Sequence, residues 1–337
     1  MMKLSLPSAG GLTGRVLLAC GLAGGLLSPA SPVHAARAAQ PTAARQSLPA
    51  DELAPVRGKG AWFMMFNGDW RDPDADRADA LVDGAVRSDL SHLYVRVADS
   101  RRHFYAAAAL QDLLPAAHAH SLSLIGWIEP QLDDPVSDAA DAIAAARFSE
   151  QGRRLDGLAL TIEGHHTGDP WVARYLSAIR NGVAGLSGLG SHYLLVASTY
   201  PSPSAHQGYA YRSLSRYCQA FTPMAYWRAT GQPQDVGVDG ARQFVARIFT
   251  AYSTPAVNPF ARPLSITGQA YDAIAEAGTP GSPSAAELVA SMEEARSRGG
   301  IGWSFYRLPD DDNGVTAEEA AAVTAYPYWH RAKRGGV

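Results

Sequence analysis

Asp156-Gly157-Leu158-Ala159-Leu160-Thr161-Ile162-Glu163 sets a carboxylate at the end of an alternating apolar run. Leu158, Leu160 and Ile162 are branched aliphatics, whereas Ala159, Thr161 and Glu163 grade from small to polar to acidic. A period of two is the mark of a β-strand with one face in an apolar layer. Parity sends Ala159, Thr161 and Glu163 to the opposite face, with Glu163 outermost. An acid held there suits proton transfer to a bound ligand. The competing use is an ion pair with an inward cation. Arg96 fits that use, because Tyr94 and Arg96 alternate against Val95 and Val97.

An acid that transfers a proton can work with a second carboxylate as base or nucleophile. Glu129 is the first choice, since it closes the apolar run just before that of Glu163 and is followed by Pro130. Asp69, Asp272 and Asp310, Asp311 and Asp312 also follow strand-like runs. Aromatic residues crowd the same ends: Trp62, Trp70, Trp127, Tyr200, Tyr226, Trp227, Tyr271, Trp303 and Tyr306. Sugar rings offer apolar C–H faces that stack on such side chains, while their hydroxyls need polar partners. Asn67, Asp69, Arg96 and Gln269 are the expected partners, and Trp127, Trp227, Tyr271 and Trp303 the expected stacking surfaces. Tyr226 is expected to hydrogen-bond the reacting centre. His165 is expected to touch substrate or tune Glu163. Zinc would need more ligands than the adjacent His165 and His166, and no His-x-Glu-x-x-His spacing accompanies them, so no metal or cofactor is assigned. Ser198 lacks the Gly-x-Ser-x-Gly turn of a serine nucleophile.

Eight β-rich runs can position these groups: 61–67, 92–98, 122–129, 156–163, 193–199, 220–226, 263–271 and 300–306. Between most of them lie helical patterns, at 78–86, 105–118, 137–148, 171–183, 238–252 and 285–298. Ser284, with Glu287 three residues on, is a capping box at the start of the last. The stretch between 200 and 219 reads as a long loop with a short helix. Strands alternating with helices imply parallel βαβ units, and eight in one domain imply a (β/α)8 TIM barrel. No Gly-x-Gly-x-x-Gly turn opens a dinucleotide site. Residues 58–333 are the expected barrel.

The run 156–163 resembles the Asp-Gly-x-Asp-x-Asp-x-Glu strand of the chitinase-type glycoside hydrolases of family 18, with Ala159 and Thr161 in place of the two inner aspartates. Met224-Ala225-Tyr226 is similar to that family's Met-x-Tyr, although Trp227 follows where an acid or amide is usual. Gly299-Gly300-Ile301-Gly302-Trp303 is similar to its Gly-Gly strand ending in Trp, one residue shorter. The family's Ser-x-Gly-Gly is missing at Ile125-Gly126-Trp127-Ile128-Glu129. The resemblance implies a glycosidase-like barrel with Glu163 as general acid. It also implies that Thr161 cannot supply the charge by which the family's aspartate orients a substrate acetamido group. Either another carboxylate completes the pair, or the barrel binds sugar without cutting it.

The first 35 residues read as a secretory signal peptide: Lys3 and Arg15, an apolar core, then Val33-His34-Ala35. The core is about a dozen residues, short of the ~20 that span a bilayer. Cys20 lies too near Arg15 for a convincing lipoprotein box. Residues 36–57 read as a disordered tether. Removing 1–35 takes the formal charge from -3 to -5, with no basic footprint for nucleic acid or membrane. Cys218 is then the one remaining cysteine, so no intrachain disulfide forms. The sequence is read as an exported glycoside hydrolase acting on a polysaccharide or oligosaccharide. A catalytically silent carbohydrate-binding barrel is the alternative.

Overall fold

The computed structural model describes residues 52–64, 75–276, 278–308 and 313–327. Its parallel strands are β1 (Gly58–Phe63), β2 (His92–Asp99), β4 (Ser123–Glu129), β5 (Gly157–Thr161), β6 (Leu195–Thr199), β7 (Ala220–Ala225), β8 (Ser265–Gln269) and β9 (Gly302–Tyr306). Each pairs with the next, and β1 pairs with both β2 and β9, so the sheet closes on itself. Around it run α1 (Ala75–Arg87), α2 (Ala107–Ala119), α3 (Pro135–Arg147), α4 (Asp169–Ala184), α5 (Tyr211–Tyr217), α6 (Gly237–Tyr252), α7 (Ala285–Ser297) and α8 (Ala317–Ala325). This is a (β/α)8 barrel. Its strands and helices alternate because each strand buries one face against a helix and the other inside the ring.

The burial pattern follows the side-chain parity of the sequence. Leu158, Leu160 and Ile162 lie in the layer between strands and helices, together with Leu93, Val95 and Val97. Tyr94, Ile125, Ala159, Val196 and Ala220 fill the barrel interior, with Trp62 and Trp127 above them. Trp62 stacks on Tyr94 at 4.0 Å and meets Trp127 edge-on at 5.3 Å. Close packing of this kind leaves no pore through the barrel; only the mouth stays open.

Three features depart from the sequence expectations. The first strand is Gly58–Phe63, earlier than 61–67, because its Lys59 is drawn to the end of α8. Lys59 Nζ donates to the carbonyls of Val323, Thr324 and Tyr326 at 2.9, 3.1 and 3.0 Å and pairs with Asp89 at 2.9 Å. A buried ammonium there satisfies carbonyls that the helix itself leaves open. A short strand, β3 (His103–Phe104), folds back antiparallel on β2, with Asp99 opposite His103. And α8 was not expected, although Thr316 and Glu319 form a full capping box at its start.

The expected capping box of α7 is present, and its Glu287 does more than cap. It accepts from the Ser284 backbone at 2.7 Å, from Gly237 at 2.9 Å, from the Trp227 indole at 3.2 Å and from Arg228 at 3.0 and 3.1 Å. One carboxylate thus joins the end of β7 to the starts of α6 and α7. Burial pushes it up, but Arg228 and the surrounding N–H donors prevail and hold it down at about 2. Asp156, the first residue of the Asp-Gly pair, is likewise structural. It accepts from Leu124 N at 2.8 Å and bonds the His118 ring at 2.9 Å, tying α2 to the neighbouring strands.

Candidate active site

At the C-terminal ends of the strands the barrel opens into a cavity of about 410 Å³. Its floor and walls come from Trp62 (β1), Arg96 (β2), Trp127 and Glu129 (β4), Thr161 and Glu163 (β5 and just beyond), Ser198 and Tyr200 (β6 and just beyond), Met224 and Tyr226 (β7 and just beyond), Tyr271 and Glu276 (after β8) and Tyr306 (β9). All the barrel strands but β8 contribute inward-facing residues, and β8 contributes through the loop that follows it. The arrangement is what a barrel places at its catalytic face.

Glu163 stands two residues beyond β5 in the lining of this mouth, its side chain exposed to solvent on one side. Enclosure pushes its pKa up, the like charges of Glu129 and Glu276 push further, and Arg96 opposes them; the result is about 7. Water in the mouth screens part of the push from the neighbouring carboxylates. The shift moves Glu163 towards its protonated form near neutral pH. Arg96 does not pair with it, contrary to the ion-pair expectation. Its guanidinium lies 2.7 Å from Glu129 and 3.8 Å from Asp99, and rests over the Trp127 ring at 4.7 Å.

Three tyrosines make the opposite wall. Tyr226, Tyr271 and Tyr306 pack with ring centroids 5.5 to 5.6 Å apart. Burial keeps the Tyr226 phenol far above its ordinary pKa, and the nearby Tyr271, Tyr306, Glu163 and Glu276 add to this, so it remains a donor. Tyr271 donates to both oxygens of Glu276, at 3.0 and 2.9 Å. Two buried polar atoms in the lining, Thr161 Oγ1 and Trp127 Nε1, have no hydrogen-bond partner among the described residues. Buried groups of this kind are normally satisfied, by protein, water or ligand.

Glu129, Glu163, Arg96, Trp127, Tyr226 and Tyr271 thus meet in one cavity, as expected from sequence. Four expected contacts do not line it. Trp227 faces the helices, fully buried, and spends its indole N–H on Glu287. Trp303 also faces outward; its indole donates to Ser291 at 3.1 Å and lies over Gly268, where a Cβ would collide with the ring. Gln269 is buried with its amide used on backbone, accepting from Arg228 N and donating to Tyr271 O. His165 turns away to Asp133 at 3.0 Å, and His166 stacks on Trp171 while also facing Asp133. Asp272 is a turn residue that accepts from Ile274 N. Asn67, Asp69 and Asp310 to Asp312 lie outside the described residues. Glu276 was not foreseen. Its signal in the sequence is an acid on the loop after the seventh expected strand, which Asp272 on the same loop also carries.

A closed parallel barrel with acids and aromatics gathered at its C-terminal mouth is a (β/α)8 TIM barrel with a candidate site where such barrels carry theirs. Solved structures agree on the fold. A chitinase from Rhizomucor miehei superposes with a TM-score of 0.54 at 16% identity, covering 80% of this chain and 99% of its own. A chitinase from Chromobacterium violaceum gives 0.55 at 13%, covering 80% and 98%. A family 18 N-acetylglucosaminidase from Paenibacillus barengoltzii gives 0.52 at 12%, covering 80% and 99%. No known family model and no curated protein matches the chain. The likeness to family 18 is therefore distant, one of fold at low sequence identity.

Proposed function

We propose that this chain is an exported glycoside hydrolase that cleaves a polysaccharide by general acid catalysis from Glu163. The observation that carries the reading is a carboxyl held near pH 7 inside an aromatic-lined barrel mouth, with a second carboxylate, Glu129, on the adjacent strand. A glycosidic oxygen is a poor leaving group unless protonated as the bond breaks, and an acid with a pKa near the working pH is the most effective donor. Glu163 gives its proton to that oxygen. Glu129, kept in place by Arg96, either deprotonates the attacking water or attacks the anomeric carbon itself, according to its separation from Glu163. Tyr226 donates to the reacting centre, and Trp62, Trp127 and Tyr306 stack on sugar faces.

The 1–35 segment carries the export part of the reading: the protein collected from outside the cytoplasm would begin at Ala36, and a chain still starting at Met1 would refute it. Hydrolysis is tested by incubating the protein with a panel of polysaccharides, including chitin, peptidoglycan and secreted exopolysaccharides, and measuring new reducing ends. Glu163→Gln runs alongside. Reducing ends that disappear in the Gln variant support the reading. Binding without cleavage, equal in both proteins, would instead favour a catalytically silent sugar-binding barrel.

A further inference from the structure

Among the described residues that line the cavity the charges do not balance. Glu129, Glu163 and Glu276 line it, and Arg96 is the one cation among the described lining residues. Arg96 is already committed to Glu129 at 2.7 Å, with Asp99 beyond at 3.8 Å. Two carboxylates, Glu163 and Glu276, are left without a cationic partner in the lining. Glu276 is exposed in the lining, and among the described residues its carboxylate accepts from the neutral Tyr271 hydroxyl. Beside it stands the wall of Tyr226, Tyr271 and Tyr306, whose ring faces attract positive charge.

An acidic patch alone does not mark a site, but this one sits over unfilled polar atoms. Thr161 is 3% exposed and Trp127 5% exposed, both line the cavity, and Oγ1 of the first and Nε1 of the second lack partners among the described residues. A hydroxyl that donates or accepts and an indole that donates suit the hydroxyls of a sugar.

We propose that the cavity recognises a cationic amino sugar, one whose amine is free rather than acetylated, with Glu276 and the tyrosine wall as its ammonium subsite. The proposal rests on the carbohydrate reading above and narrows its substrate class. An ammonium beside Glu276 gains attraction that an acetamido group, being neutral, does not. A uronic or sulfated sugar meets repulsion from Glu276, and from Glu163 when that is ionised. Glu276 follows β8, three strands around the ring from the β5 strand that precedes Glu163. An ammonium held there offsets the push that Glu276 gives Glu163, but leaves the enclosure and the Glu129 charge acting on it, whereas one beside Glu163 would favour the ionised form directly.

The test is the binding of matched oligosaccharides to the full chain, read from quenching of tryptophan emission, since Trp62 and Trp127 line the cavity. The probes are glucosamine and N-acetylglucosamine oligomers, galactosamine and N-acetylgalactosamine oligomers, and a galacturonic acid oligomer. In at least one pair the free-amine member should bind about tenfold more tightly than its acetylated counterpart. That preference should weaken with added NaCl and shrink to within about threefold in Glu276→Gln, a change on an exposed turn. Acetylated or acidic oligomers bound as well as free-amine ones, or a preference unchanged in Glu276→Gln, would overturn the proposal and leave the carbohydrate reading standing. If no oligomer binds, the carbohydrate reading itself fails and this proposal with it.

Discussion

Glu163 combines two properties that a surface carboxylate lacks: walls that disfavour its charge and two acidic neighbours that do so again. Both act in the folded state only, so they couple protonation to stability. The folded pKa of about 7 lies above the unfolded value of roughly 4.3, so the folded protein holds the extra proton between those values. Stability therefore falls as pH rises through that window, as the group is forced to ionise inside the cavity. Glu163→Gln cannot ionise and escapes the loss. The melting temperature of the Gln variant, compared with the unmodified protein, should move upward between pH 4.5 and pH 8. A constant difference across that range would mean that the carboxyl is not held up. Parity also explains which neighbours were legible beforehand. In β7 the even positions face inward, so Tyr226 reaches the cavity and Trp227 cannot; in β9 the same rule favours Tyr306 over Trp303. The expectations for both tryptophans rest on the crowding of aromatics at strand ends and run against the parity of their own strands. Gln269 obeys parity, but its amide is consumed by backbone that no sequence pattern reveals.

At the scale of elements, the most connected side chain outside the cavity is Glu287. It is 1% exposed and holds the Arg228, Trp227 and Gly237 donors as well as its own cap. A buried acid with this many donors cannot be removed without stranding a guanidinium. Glu287→Gln should cost roughly 2–4 kcal/mol in urea unfolding at pH 7. The pH sign is opposite to that of Glu163. The folded value of about 2 lies below the unfolded value of roughly 4.3, so the stabilisation is present above that value and is lost as pH falls towards 2. The cost of the substitution should accordingly be smaller at pH 2.5 than at pH 7; an equal cost at both would deny the carboxylate its charge-dependent role. The capping box that begins α7 was readable from Ser284 and Glu287. Thr316 and Glu319 carry the same signature for α8, but a nine-residue helix after the last strand lacked a following strand to frame it.

Over the whole molecule, the barrel was legible because eight apolar runs at regular intervals leave a parallel sheet few other ways to close. The short hairpin strand β3 was not, since two residues carry no period. The cavity is a property of closure: Glu129, Glu163 and Glu276 are far apart in sequence and meet only because their strands share one ring. Among the described residues no helix is long and apolar enough to cross a membrane. The central claim, that Glu163 protonates a glycosidic oxygen, is tested most directly by the rate of polysaccharide cleavage against pH, for the protein and for Glu163→Gln. The account predicts a rate that falls as pH rises through about 7, and a Gln variant slower by about 10²–10⁴ that lacks this limb. A Gln variant that cleaves at the full rate, or a rate that climbs through pH 7, would contradict it.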